Sequence, residues 1–192
     1  PYHLRFSPDM KWFVTAANRF NHIDIYRWQP EQAEAPMQLV QRIAASRTPS
    51  HLMIDSRSSV VYASIQDSDE LMAIDLATQQ PRWKIPVGKM PADVFLTPDD
   101  RLLLVALTGD EVVEVYDVSG AMPRQVKRLK TAAGAHAFRA RGDGRHVFVS
   151  NRVANSISQI DLQTLEVTAE YAAPGGPDCI EMLADGKTLL VT

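Results

Sequence analysis

The sequence has a single cysteine and few aromatic residues among its 192 amino acids. Because Cys179 is alone, no disulfide can form within the chain and no site built from paired cysteines can exist. Aromatic residues make up only 7% of the chain, but 45% of the residues are hydrophobic, which is enough for an ordinary globular core. The longest apolar run, Leu102 to Leu107, is far shorter than the ~20 residues that a membrane-spanning helix needs.

The charges are nearly balanced, and the motifs of common enzyme classes are missing. The chain has 20 Lys and Arg residues against 23 Asp and Glu residues, a net charge of −3. This balance gives no electrostatic reason to expect nucleic acid or an anionic membrane as a partner. The sequence also has no Gly-rich phosphate loop, no H-E-x-x-H helix and no G-x-S-x-G elbow. No enzyme class is therefore indicated by a motif.

What the chain does contain is a repeat of short apolar stretches and polar turns. In the copy at 135–173, a turn at 141–144 and a polar loop at 152–155 separate the first three stretches. Similar copies start roughly 42–48 residues apart along the whole chain. The starts are Pro1, Pro49, Pro91, Ala135 and Pro177. Four short strands followed by a restart are typical of a β-propeller blade.

The repeat predicts an all-β fold, a β-propeller of four-stranded antiparallel blades, with four blades complete and half of a fifth present. The predicted blades span approximately 1–48, 49–90, 91–134, 135–176 and 177–192 of one domain. Closed propellers have roughly 4–8 blades, and we expect this chain to be a segment of a seven-bladed one. The chain starts at Pro1 inside a repeat, so we expect an upstream portion. Missing blades or a second copy should cover the open flanks, which would otherwise expose apolar faces.

The fourth copy and the start of the fifth carry a family resemblance. The fourth contains Phe148-Val149-Ser150-Asn151 and then Ile157 to Leu162, and the pattern begins again with Gly176-Pro177 and Asp185-Gly186-Lys187. These motifs resemble the YVTN-type β-propeller repeat family, which is related to the haem-d1 propeller of cytochrome cd1 and to lactonase-like propellers. The resemblance covers essentially the whole chain, although individual repeats depart from the motif. It implies a periplasmic or cell-surface protein, and it specifies the fold better than the activity, because propellers host many unrelated functions.

Two conspicuous groups of residues have a structural interpretation. An aspartate ends the third strand of three repeats, at Asp75, Asp117 and Asp161. A catalytic carboxylate is normally singular, whereas a repeated one is expected to accept hydrogen bonds from the turn that follows. The tripeptide Arg141-Gly142-Asp143 spells a cell-adhesion motif. It occupies the turn that other repeats fill with Pro-Asp or Asp-Gly, so the turn accounts for it.

The third position of each repeat is the first candidate site. Its residues are His3, His51, Asp93, Ala137 and Cys179, and His136 lies beside the fourth of them. If the first strand of each blade lines the central axis, these residues form a ring near one mouth of the channel. Imidazole, carboxylate and thiolate can all bind a metal or haem, although no motif indicates either cofactor. The alternative is that polar residues simply line a narrow, hydrated channel.

The loops between the second and third strands should open at the same mouth. They lie at 18–21, 66–69, 108–110 and 152–155, and they contain two arginines, Arg19 and Arg152, but no nucleophile paired with a base. Binding sites often collect on such loops. The favoured function is an extracytoplasmic scaffold that binds a protein or a small ligand at this face, through His3, His51, Asp93, His136, Arg19 and Arg152. The alternative is an enzyme or cofactor carrier, either a lactonase-like hydrolase or a haem-d1-type propeller.

Overall fold

The computed structural model describes residues 1–192 as strands joined by turns, with two single turns of 3-10 helix at Asn18–Phe20 and Gln66–Ser68. The chain forms two compact units, Pro1–Val87 and Gly88–Thr192. The strands of the first unit are β1 (His3–Phe6), β2 (Trp12–Ala17), β3 (His22–Trp28), β4 (Met37–Ala44), β5 (Pro49–Ile54), β6 (Val60–Ile65), β7 (Glu70–Asp75) and β8 (Gln80–Pro86). The strands of the second are β9 (Pro91–Leu96), β10 (Leu102–Leu107), β11 (Val112–Asp117), β12 (Arg124–Lys130), β13 (Ala135–Ala140), β14 (His146–Asn151), β15 (Ser156–Asp161), β16 (Glu166–Ala172), β17 (Ile180–Met182) and β18 (Leu189–Val191).

The strands pair in sequence order within each sheet. The first unit holds two four-stranded sheets, β1-β2-β3-β4 and β5-β6-β7-β8. The second unit holds β9-β10-β11-β12, β13-β14-β15-β16 and a two-stranded sheet, β17-β18. Every pairing is antiparallel. The prediction of four complete four-stranded blades and half of a fifth is confirmed, and the chain is part of a β-propeller. The assignment of all residues to one domain stays a prediction.

The core of each unit lies between neighbouring sheets. In the first unit, Val14 and Ile25 of one sheet are fully buried in a cluster with Leu52 and Ile74 of the next. In the second unit, residues of β10 and β11 pack in the same way against those of β13, β14 and β15. Every residue of β2 and of β6 is buried. Strands enclosed on both faces need continuous apolar sequence rather than alternation, which explains runs such as Leu102–Leu107.

The repeated aspartates close their turns, as predicted. Oδ1 of Asp161 accepts the backbone N–H groups of Gln163 and Thr164 at 2.8 and 3.2 Å. A hydrogen bond from the guanidinium of Arg145 lowers the pKa of Asp161 to about 2. Asp75 and Asp117 accept backbone N–H groups of their own turns in the same way. These carboxylates are therefore structural parts of the repeat.

The turn at Arg141-Gly142-Asp143 is likewise stabilised from within. Oδ1 of Asp143 accepts the backbone N–H groups of Arg145 and His146 at 2.9 and 2.8 Å, and its Oδ2 lies 2.7 Å from Nδ1 of His146. Both carboxylate oxygens are thus engaged by the turn itself, which supports the structural interpretation of this tripeptide.

No helix in the structure has the length and apolar character needed to span a membrane.

Candidate functional site

The antiparallel pairing brings the start of each first strand to the end of the second strand. In the second unit, Ala135 pairs with Asn151, so the start of β13 lies beside the loop at 152–155. In the first unit, His3 pairs with Ala16, next to the loop at 18–21. Within each unit, the third-position residues and the second-to-third-strand loops therefore share one end of the sheets. We call this the loop end, and the end with the first-to-second-strand turns the turn end.

Two of the predicted site residues meet at the loop end of the second unit. Nδ1 of His136 lies 3.1 Å from Oδ1 of Asp178, and Nε of Arg152 lies 3.3 Å from the same oxygen. The imidazole is buried, whereas the side chains of Asp178 and Arg152 are 46% and 43% exposed. These three ionisable groups form the His136–Asp178–Arg152 cluster, in which the histidine is buried and the other two side chains are accessible to solvent.

Asp178 is the residue that the sequence analysis missed. It precedes β17 and is held by its backbone, since the hydroxyl of Ser150 donates to its carbonyl oxygen at 2.9 Å. The second position of the repeat could have revealed it, because an imidazole and a carboxylate occupy that position in two consecutive copies, at His136 and Asp178.

The third-position residues His3 and Asp93 make a different kind of contact. Nδ1 of His3 accepts the backbone N–H of Leu52 at 3.1 Å. Oδ2 of Asp93 accepts the backbone N–H of Phe138 at 2.8 Å, and its Oδ1 accepts that of Val94. In both units the acceptor side chain lies on the first strand of one sheet and the donor on the first strand of the next. We call this contact the inner-strand latch. It gives His3 and Asp93 a structural role, while their role in ligand binding stays a prediction.

His51 and Arg19 lie at the loop end of the first unit. His51 is buried, with its ring centre 4.9 Å from that of His3 and 5.4 Å from that of Tyr2. Its Nδ1 lies 2.9 Å from the hydroxyl of Ser50. Arg19 belongs to the exposed turn after β2 and lines a surface cavity with Tyr2 and Asn18. His51 is thus part of a packed ring cluster, and Arg19 is a surface cation beside it.

The chemistry of Cys179 bears on what this end can do. The thiol pKa is raised, first by partial burial and then by the negative charges of Asp178 and Asp93. A cysteine acts as a nucleophile or as a metal ligand in its thiolate form, so this environment opposes both uses. No group of three or more His, Cys, Asp or Glu side chains is arranged to hold a metal ion.

Solved structures share this fold at low sequence identity. Hydrazine synthase of Kuenenia stuttgartiensis matches 100% of the chain with a TM-score of 0.85 and 18% identity, over 55% of its own chain. A functionally unknown protein from Desulfotomaculum acetoxidans matches 98% of the chain with a TM-score of 0.85 and 14% identity, over 61% of its own. The periplasmic gluconolactonase of Pseudomonas aeruginosa matches 95% of the chain with a TM-score of 0.78 and 20% identity, over 56% of its own. The chain thus spans little more than half of each of these structures.

No curated protein sequence matches the chain. A protein-family model does match it over residues 1–192, and its description is YNCE-like beta-propeller. The expected propeller-repeat family is confirmed by this match together with the lactonase-like structural neighbours. The chain belongs to the YNCE-like beta-propeller family.

Proposed function

We propose that this protein is an extracytoplasmic, non-catalytic β-propeller that binds a protein or a small polar ligand at the loop end. The observation that carries the proposal is the His136–Asp178–Arg152 cluster, which joins a buried imidazole to a carboxylate and a guanidinium that solvent can reach. Such a row offers a ligand both hydrogen-bond donors and an acceptor on a rigid sheet framework.

The contrast between the two ends of the sheets supports the loop end as the binding face. At the turn end, aspartates accept backbone N–H groups from their own turns. They are Asp9, Asp99, Asp143 and Asp185. Folding alone accounts for those carboxylates. At the loop end, the side chains of Asp178 and Arg152 pair with each other instead of closing a turn. Because turn formation does not account for these two side chains, their presence supports ligand binding.

The second candidate function is a lactonase-like hydrolase. One structural neighbour is a periplasmic gluconolactonase, which also supports an extracytoplasmic location. A hydrolase would use the His136–Asp178 pair as acid and base on a lactone. The raised pKa of the Cys179 thiol argues against a thiolate nucleophile beside that pair. We therefore favour binding over catalysis, and we rank a haem-carrying propeller below both.

The test uses the full-length protein with gluconate and glucono-δ-lactone as probes. Binding is followed by NMR chemical-shift changes, hydrolysis by pH-stat titration, and haem uptake by absorption spectroscopy. We expect shifts at Arg152 and Asp178 without turnover, and we expect the Arg152→Gln and Asp178→Asn variants to lose them. Asp143→Asn at the turn end is the matched control and should bind normally. Lactone hydrolysis that Asp178→Asn abolishes would establish the hydrolase instead, and shifts confined to the turn end would refute the face assignment.

We also propose that further blades of the same propeller cover two apolar faces. In the first sheet, Leu4 and Leu39 are 52% and 45% exposed on the face opposite the core. In the second unit, Phe148, Tyr171 and Leu189 line an open groove. Exposed apolar faces of this kind favour association. Sedimentation of the isolated 192 residues should therefore show self-association, and a reversibly melting monomer would contradict this part of the proposal.

A further inference from the structure

The loop that carries Arg152 is anchored at its base. The backbone N–H of Arg152 donates to the carbonyl oxygen of Gly134 at 2.9 Å, and that of Ala154 donates to Ala133 at 3.0 Å. The loop ends at Asn155, whose backbone is in the left-handed region with φ of +57°. Asparagine tolerates this conformation better than most residues. The position of Arg152 is thus determined by backbone contacts with the segment before β13.

The side chain of Asn155 reaches the segment that leads to Asp178. Its Oδ1 accepts the backbone N–H groups of Gly175 and Gly176 at 3.1 and 2.8 Å, and its carbonyl oxygen accepts that of Ala173 at 2.8 Å. One residue therefore ties the Arg152 loop to the connection between β16 and β17. Asp178 lies only two residues beyond the second of these glycines.

A similar contact occurs in the first unit, where it does not involve the His136–Asp178–Arg152 cluster. Asn21 has φ of +55°, its Oδ1 accepts the backbone N–H of Thr48 at 2.9 Å, and its carbonyl oxygen accepts that of Ala45. Asn21 ends the loop after β2 as Asn155 ends the loop after β14. Comparing Asn21 with Asn155 therefore separates two effects. Both contacts stabilise the repeat in which they occur, but only the Asn155 contact can also place Asp178.

We infer that Asn155 is a positioning residue, which holds the carboxylate of Asp178 between His136 and Arg152. The role of the cluster in ligand binding rests on the proposed function, whereas the positioning of Asp178 by Asn155 does not. Without the carboxamide oxygen, two backbone N–H groups of the glycine segment lose their acceptor. Gly175 and Gly176, with φ of +105° and +73°, then have many accessible conformations. Two hydrogen bonds would still hold the backbone of Asp178, one from the hydroxyl of Ser150 to its carbonyl oxygen and one from its N–H to the carbonyl oxygen of Thr192.

The test measures the ¹⁵N chemical shifts of the two ring nitrogens of His136 in the full-length protein without ligand, at a fixed neutral pH. These shifts report the tautomer and the charge next to the ring. Asp178→Asn defines the change that follows loss of the carboxylate charge. We expect Asn155→Gly, which permits the left-handed backbone but removes the acceptor, to produce at least half of that change. Asn155→Asp, which retains an acceptor oxygen, should restore shifts close to those of the native protein.

Asn21→Gly is the matched control and should leave the His136 shifts unchanged. Hydrogen exchange at the Gly176 amide gives a second measurement, and we expect it to become at least ten times faster in Asn155→Gly. Native His136 shifts in Asn155→Gly, or an equal change in Asn21→Gly, would overturn the inference. Both measurements are made without ligand, so they can fail while binding persists and can succeed while binding is absent.

Discussion

Replacing Asp93 with alanine tests whether this residue stabilises the fold through the inner-strand latch or binds a ligand. The carboxylate accepts two backbone N–H groups, and the donor residue Phe138 is buried on the neighbouring first strand. A buried donor left without an acceptor costs about 1–3 kcal/mol, and bonds to charged groups lie in the upper part of that range. We therefore expect Asp93→Ala to lower the unfolding free energy by about 2–3 kcal/mol.

The control is Asp93→Asn, whose amide oxygen can still accept the Phe138 N–H. We expect this variant to lose less than about 1 kcal/mol. For a chain of this length, each kcal/mol corresponds to about 2–4 °C in melting temperature. Circular dichroism should therefore show the alanine variant melting about 4–12 °C below the native protein.

Amide hydrogen exchange locates the effect. Exchange at Phe138 should accelerate in the alanine variant and stay nearly native in the asparagine variant. If the two variants are equally stable and the Phe138 amide stays protected in both, the latch reasoning is refuted. If the alanine variant is stable but no longer binds a ligand, the original interpretation of Asp93 as a binding residue is correct.

Two further predictions concern the turns. Gly134 has φ of +83° and a Cβ there would lie 2.7 Å from the backbone nitrogen of Val153, whereas Gly142 has φ of +92° and open space around it. We expect Gly134→Ala to cost about 2–3 kcal/mol and Gly142→Ala about 1 kcal/mol in urea unfolding, and equal losses would contradict this. The pKa of Asp161 is lowered to about 2 by Arg145, below its unfolded value of about 3.9. The carboxylate thus stabilises the fold above pH ~4 and loses this effect as the pH falls to ~2; Asp161→Asn should flatten the unfolding free energy over that window, and parallel curves would refute the pairing.

The fold was predictable because each repeat encodes it locally. Apolar runs such as Leu102–Leu107 are long enough for one enclosed strand, and an aspartate such as Asp161 closes the next turn within three residues of itself. Five copies in register repeat this information. The placement of the loops and the third-position residues at one end also followed from sequence, because antiparallel strands joined in order leave no other arrangement.

The site was only partly predictable. His136 and Arg152 were identified from the repeat, but Asp178, which joins them, belongs to the following copy and was not identified. Which side chain meets another across sheets depends on how far neighbouring first strands are displaced along each other. That displacement is set by packing between sheets and not by any local pattern.

By itself, the sequence determined the strand repeat, the closed turns and the common end of the candidate residues. All of these depend on contacts between residues of the same repeat. Only the tertiary structure decided what the candidates do. His3 and Asp93 reach backbone N–H groups that lie 49 and 45 residues away, while His136 and Arg152 meet at Asp178. Every residue except proline has a backbone N–H, so no sequence pattern identifies the one that a side chain will bond. The packing of one sheet against the next selects it.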